Sequence, residues 1–186
     1  GTYELIVSDT TSSVYATIVV DQPTQLQIIT NVDTALCYGG TAQASAFTYG
    51  GQGPYSTNWD NGSSSITTYL TAGIHYVNVM DSNGCSISDT INIIQNDSMS
   101  ISTTNTDISC YGLTDGSTQI NVIAGGVPTY SYSDDNGINF QSNNIFSNLA
   151  AGTSIYIVMD ANGCTNSISG IIYEPEELVV NLTSTS

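Results

Sequence analysis

The heptapeptide Val79-Met80-Asp81-Ser82-Asn83-Gly84-Cys85 recurs as Val158–Cys164, with only Ser82 changed, to Ala161. A fold for this chain must therefore place the same β-like run, turn and cysteine twice. Self-similarity of this kind is the mark of a repeat architecture. Other blocks follow in the same order. Cys37-Tyr38-Gly39 matches Cys110-Tyr111-Gly112, and Gly50-Gly51-Gln52-Gly53-Pro54-Tyr55 matches Gly125-Gly126-Val127-Pro128-Thr129-Tyr130. Leu70-Thr71-Ala72-Gly73 matches Leu149-Ala150-Ala151-Gly152. The start of the chain fits the template too, since Gly1–Asp9 aligns with Gly73–Asp81. Ile18–Pro23 resembles Gly170–Pro175, and each leads to a leucine, Leu26 or Leu178.

The expected organisation is the tail strands of one repeat over 1–23, whole repeats over 24–96 and 97–175, and the first strand of another over 176–186. On that reading the chain is an excerpt from a longer protein. No stretch sustains a helical period, and turn residues recur at short intervals, which points to an all-β chain. In the run Tyr76–Asp81, Val77 and Val79 share one face; Tyr156 and Val158 take it in the second copy, and Leu5 and Val7 in the first. An apolar face opposite a mixed one is the pattern of a half-buried antiparallel strand. Asn-Gly then supplies a tight, two-residue turn. The next strand is expected over Ile87–Ile94, or Ile168–Tyr173. About seven short strands per repeat suggest tandem immunoglobulin-like β-sandwiches, arranged as an extended rod.

Composition narrows the function classes. The 186 residues include 16 Asp and Glu, no Lys or Arg, and one His, for a net charge of −16. Nothing here neutralises phosphates, which argues against nucleic acid as a partner. Docking on anionic lipid is disfavoured for the same reason. No apolar run reaches the ~18–20 residues of a membrane-spanning helix.

The four cysteines, Cys37, Cys85, Cys110 and Cys164, form no Cys-x-x-Cys motif, which argues against zinc. One pair per repeat suggests two disulfides, Cys37–Cys85 and Cys110–Cys164, in an oxidising compartment. Closing a loop of that length stabilises by about 4 kcal/mol in the chain-entropy account. Trp59 suits a core position beside such a bond. The second copy has Ser133 or Asp134 there, with Phe140 available to fill the space.

His75, the single histidine, has Ser154 as its counterpart and is read as a solvent-facing strand residue rather than a base. Nothing marks a nucleophilic triad around it, and the lack of Arg and Lys removes common oxyanion and phosphate clamps. The chain is not expected to be an enzyme and needs no cofactor. Calcium is the one candidate, with Asp81, Asn83, Asp160 and Asn162 as possible oxygen ligands. The same recurrence is explained by an Asx-type turn, which is the reading adopted. Tyr55, Tyr76 and Tyr130 sit at repeat positions and are read as packing residues rather than a sugar platform. The segment 138–148, whose length differs between copies, is the candidate binding loop.

The combined pattern is Cys-x-Gly, Gly-Gly with a following Pro and Tyr, Leu-x-Ala-Gly, Val-x-Asp-x-Asn-Gly-Cys and Pro-x-x-Leu. It resembles the SprB repeat family of giant cell-surface gliding-motility adhesins of Bacteroidetes. The likeness is most specific at Ala72–Cys85, Ala151–Cys164 and Glu174–Leu178. Ser13 replaces the cysteine of the first fragment, Pro-Thr-Tyr replaces Gly-Pro-Tyr, and the Trp is lost in the second copy. The resemblance implies secretion through the type IX system to the outer cell surface. It also implies long repeat arrays that contact the substratum or its polysaccharide, and coupling to the gliding machinery through other regions. An accessory domain of another large secreted protein, or a glycan- or protein-binding module, is the alternative. Asp-Ser/Thr pairs resembling Bacteroidetes O-glycosylation sites place possible glycans on Thr10, Thr34, Thr90 and Ser98.

Overall fold

The computed structural model describes residues 1–182. It divides into two compact units: Gly1–Asp33 with Gln43–Ile93, and Thr34–Ala42 with Ile94 onward. The segment Thr34–Ala42, which the sequence puts in the first whole repeat, thus clusters with the second unit.

The first unit opens with a hairpin of β1 (Thr2–Ser8) and β2 (Ser13–Val19), paired in register from Thr2–Val19 to Ser8–Ser13. Its remaining strands are β3 (Gln27–Val32), β4 (Thr41–Tyr49), β5 (Ser56–Trp59), β6 (Thr67–Thr71), β7 (Gly73–Met80) and β8 (Ser86–Ile93). They form two three-stranded sheets, in the orders β3-β4-β6 and β5-β7-β8. The first, second and fourth strands make one sheet; the third, fifth and sixth make the other. This is the strand partition of an immunoglobulin-like sandwich lacking one edge strand. Six strands stand where seven were expected.

Both sheets turn alternate residues inward. Ala44 and Ala46 of β4 and Leu70 of β6 are buried on one side. Trp59 of β5, Val77 and Val79 of β7, and Ile91 and Ile93 of β8 are buried on the other. Small residues on one inner face with large ones opposite allow close packing of sheets about 10 Å apart. The indole N–H of Trp59 donates to the Ser65 carbonyl at 2.9 Å, so the buried polar atom is satisfied.

The second unit repeats the plan. Strands β9 (Ser100–Thr106), β10 (Gly116–Ala124) and β12 (Ile145–Leu149) form one sheet; β11 (Ser131–Ser133), β13 (Gly152–Met159) and β14 (Thr165–Ile172) form the other. Its core joins Met99, Ile120 and Phe146 to Tyr132, Tyr156 and Val158.

The shared apolar face is inward in both units: Val77, Val79, Tyr156 and Val158 are at most 1% exposed. Leu5 and Val7 are the exception, at 53% and 63%. Within the described residues the β1–β2 hairpin has no second sheet over it. Over 176–182 no strand forms, and Leu178 is exposed; the rest of the strand expected over 176–186 lies outside the described residues.

The two cores are filled differently. Where the first unit has Trp59, the second has the exposed Asp134, and Phe140 is only half-buried and outside the main cluster. The missing volume comes instead from Tyr156 in the place of Val77, and from Tyr132 in the place of Thr57. Tyr156 stacks obliquely on Phe146, with ring centroids 5.3 Å apart. Its hydroxyl donates to Thr118 Oγ1 at 3.0 Å, and that hydroxyl donates to Asn105 Oδ1 at 3.0 Å. The ring fits because Gly170 stands where the first unit has the buried Ile91; a Cβ on Gly170 would lie 2.9 Å from Tyr156 Cε2.

Gly170→Ile is therefore expected to destabilise the second unit by about 1–3 kcal/mol through overpacking. Adding Tyr156→Val recreates the Val–Ile pair of the first unit and should recover part of that loss. Calorimetric melts of the two single variants and the double variant measure the coupling. Strictly additive losses would refute the size exchange.

Candidate functional site

The repeated heptapeptide closes the hairpins β7–β8 and β13–β14. In the first, Asp81 N–H donates to the Cys85 carbonyl at 2.9 Å and Gly84 N–H to the Asp81 carbonyl at 3.1 Å. Gly84 has φ +84°, whereas Asn83 is not in the left-handed region. This is a three-residue loop, a type I turn followed by a left-handed glycine, and not the two-residue turn expected from Asn-Gly. The Asp160–Cys164 loop matches it, with φ +81° at Gly163.

The aspartate side chain organises the corner. Asp81 Oδ1 accepts the N–H groups of Asn83 at 3.0 Å and Cys85 at 2.8 Å, while Oδ2 accepts Gln52 N–H at 3.0 Å. Asp160 accepts Asn162, Cys164 and Val127 N–H, each at 2.9 Å. Each carboxylate thus spends both oxygens on amides, fixing its own turn and tying it to the Gly-Gly loop. The Gln52 amide, with smaller help from Cys85 and Asn83, holds the Asp81 carboxyl below its ordinary value. In the first hairpin, Asp9 accepts Thr11 and Ser12 N–H at 2.7 Å; these amides bring its pKa down to about 2.

The Gly-Gly pairs exist because nothing larger fits. Gly51 has φ +59°, and a Cβ there would lie 2.7 Å from Asp81 Oδ2; at Gly126 it would lie 2.4 Å from Met99 Cγ. The tyrosine that ends each block hydrogen-bonds back to the first glycine. Tyr55 Oη donates to the Gly50 carbonyl at 2.6 Å, and Tyr130 Oη to Gly125 at 2.9 Å. Both act as corner residues, whereas Tyr76 is exposed.

The cysteines do not pair within repeats. Cys37 is bonded to Cys164, with Cα atoms 5.4 Å apart, and Cys85 and Cys110 are free and exposed. Strand geometry explains why. Cys164 precedes the first residue of β14. The Cys110 loop is pinned beyond its last residue, by Ile108 N–H to the Tyr173 carbonyl at 3.0 Å and Gly112 N–H to Glu174 Oε2 at 3.2 Å. Eight residues of strand separate the two by about 25 Å, far outside the range of a disulfide. The same anchoring holds for Cys37: Ala35 N–H donates to the Ile94 carbonyl at 2.9 Å and Gly39 N–H to Gln95 Oε1 at 2.8 Å, beyond the end of the strand that Cys85 opens. The bond therefore runs from the Cys-Tyr-Gly of one sequence repeat to the Asn-Gly-Cys of the next. The half-cystine loop is further held by Asn162 Nδ2, which donates to the Leu36 carbonyl at 3.4 Å. No disulfide stands at Trp59 in the role expected from the sequence.

Among the described residues no three His, Cys, Asp or Glu side chains cluster as metal ligands. Asp81 with Asn83, and Asp160 with Asn162, occupy equivalent corners, and the asparagines lend the carboxylates backbone N–H groups. His75 is less open than expected. Its side chain is 15% exposed, with Nδ1 3.0 Å from Asp60 Oδ2 and Nε2 2.9 Å from the Thr71 carbonyl oxygen. Both ring nitrogens face oxygens of a carboxylate and a carbonyl, and neither faces a serine. Thr10, Thr34, Thr90 and Ser98 are all exposed.

The segment 138–148 is ordered by a residue just before it. Asp135 Oδ1 accepts Asn139 N–H at 2.9 Å and the Ser133 hydroxyl at 2.7 Å, and these donors hold its pKa at about 2. Gln141 pairs with Tyr132 through both backbone bonds, and Ile138 projects into solvent at 79% exposure. The sequence reading missed this cap; Asp134-Asp135-Asn136-Gly137 was the signal.

No protein-family model and no curated protein matches the sequence. Among solved structures, the chain is similar to a 282-residue C-terminal fragment of intimin, solved in complex with the intimin-binding domain of the translocated intimin receptor. Identity is 13% over 82% of this chain, at a TM-score of 0.41, and the chain spans 64% of that fragment. It is also similar to an amphioxus IgVJ-C2 molecule, at 13% identity over 83% of this chain and 99% of the other, with a TM-score of 0.30.

Removing the corner charge by Asp160→Asn should destabilise the second unit by about 1.5–3 kcal/mol, the range for hydrogen bonds to a charged acceptor. Chemical denaturation reads this directly. The pH dependence has a defined sign. Asp9, Asp81 and Asp135 have folded-state pKa values below the ordinary 3.8. Their contribution is complete above that value and is lost as pH falls through about 4 towards about 2. Denaturant midpoints measured between pH 6 and 2 should be flat at first and then fall; a fall confined to pH above 5 would contradict the assignment.

Proposed function

We propose that the chain is a stretch of structural repeats from a filamentous cell-surface adhesin of the SprB type. On this reading it is exported by type IX secretion and serves surface attachment and gliding. More coarsely, it is a non-enzymatic adhesion or binding module. The observation that carries the reading is the disulfide between successive sequence repeats, set on a corner that recurs with the same hydrogen bonds. A bond placed there joins repeat to repeat, which suits an array whose working part is its length. The carboxylates at the corner serve as turn caps, and calcium acts only diffusely through the net charge. The high negative charge and the absence of Lys and Arg keep parallel arrays apart and deny trypsin-like proteases a cleavage site.

A second reading rests on the 138–148 segment. Its rigid Asp135 cap and projecting Ile138 suit a loop that binds a glycan or protein, with the sandwich as scaffold.

An antiserum raised against the chain should label intact producing cells and block their attachment to glass. Labelling only after lysis would overturn the surface assignment. A glycan array separates the two readings: saturable binding lost in Ile138→Ser, with folding intact, would favour the binding loop over the structural repeat.

A further inference from the structure

We infer that Cys85 and Cys110 are the two halves of further repeat-to-repeat disulfides, and that each accepts the complementary cysteine of another copy of this unit. Three observations carry this beyond the presence of free thiols. First, the equivalents are already bonded: Cys37 corresponds to Cys110 and Cys164 to Cys85, and Cys37–Cys164 is formed. Second, both half-sites have the conformation of the formed one. Cys85 N–H caps Asp81 as Cys164 N–H caps Asp160. The Cys110 loop is anchored by Ile108 and Gly112 as the Cys37 loop is by Ala35 and Gly39.

Third, the surroundings are complementary. The cleft at the formed bond is lined on one side by Leu36, Cys37 and Tyr38, and on the other by the Asp160–Cys164 corner. The cleft at Cys85 has the corner side, with Gly51, Asp81 and Leu26, is walled also by Gln22, Pro23, Thr24 and Gln25, and has no Cys-Tyr loop. The cleft at Cys110 has the loop side, with Ser109 and Tyr111, and no corner. Each lacks what the other presents. The pairing is therefore heterologous and open-ended, Cys85 to Cys110, and generates chains rather than closed dimers.

The chemistry is a two-electron oxidation. Two thiols form one S–S bond, giving up two protons and two electrons to a small-molecule disulfide such as oxidised glutathione, which leaves as two thiols. The inference does not depend on the adhesin reading, since it needs only the two half-sites.

The test uses the full chain with Cys37–Cys164 intact, concentrated with oxidised glutathione at a salt level that screens the acidic surfaces. Non-reducing gels should show a ladder. A Cys85→Ser chain mixed with a Cys110→Ser chain should stop at a dimer, and each alone should remain monomeric. After cleavage at acidic residues, mass spectrometry should find Cys85–Cys110 peptides about tenfold over Cys85–Cys85 and Cys110–Cys110 together. Links in the statistical proportion, or monomers carrying only glutathione on both cysteines, would overturn the proposal. Calorimetry of both variants checks that neither is misfolded.

Discussion

The contact on which most of the architecture depends is one carboxylate accepting three backbone N–H groups. Two of these belong to the aspartate's own turn and the third to a loop about thirty residues earlier, Gln52 for Asp81 and Val127 for Asp160. A neutral side chain of the same shape would cap the turn but bind these donors less strongly. Because the loop turns back so tightly, with positive φ at positions 51 and 126, both are glycine; a Cβ would meet Asp81 at the first and Met99 at the second. Because the loop is then fixed, the tyrosine at its end can reach back to the first glycine. The cysteine is the last residue of the capped turn, so its direction is set by the same hydrogen bonds.

The all-β fold, the inward face of β7 and β13, and the capping role of Asp81 and Asp160 were legible in the sequence. They depend on local periodicity and local hydrogen bonding, which a repeat displays twice. The connectivity of the cysteines was not read correctly. Counting one pair per repeat ignores where in the strand each residue falls. A cysteine that opens the last strand and a loop pinned past its end are separated by the strand's full length, so the Cys37 loop bonds the corner of the next repeat, at Cys164, rather than that of its own. That distance argument was available once the strand after each cysteine had been recognised.

The core exchange was illegible for a different reason. Losing Trp59 in the second copy suggested a local replacement such as Phe140, which lies well beyond the end of the cognate strand at Ser133. The volume was instead returned on the adjacent strand of the same sheet by Tyr156 and on the cognate strand itself by Tyr132, with Gly170 yielding space. Packing conserves volume across a layer, not position by position, so alignment of single sites does not find it. The ordered 134–141 segment was obscured for a related reason: its organising side chain, Asp135, lies just outside the stretch whose length differs.

The placement of the disulfide also decides how the chain answers tension. The bond joins residues 127 apart in sequence. A pull applied outside that interval passes through two sulfur atoms and bypasses everything between them. The contour withheld from extension is that of 127 residues at about 3.3–3.6 Å each, or roughly 420–460 Å. A bond closed inside each repeat would leave the segment between one staple and the next free to lengthen. A bond that reaches from one repeat into the following one shields that segment as well, so the interval from Cys37 to Cys164 lengthens only after a covalent bond has broken.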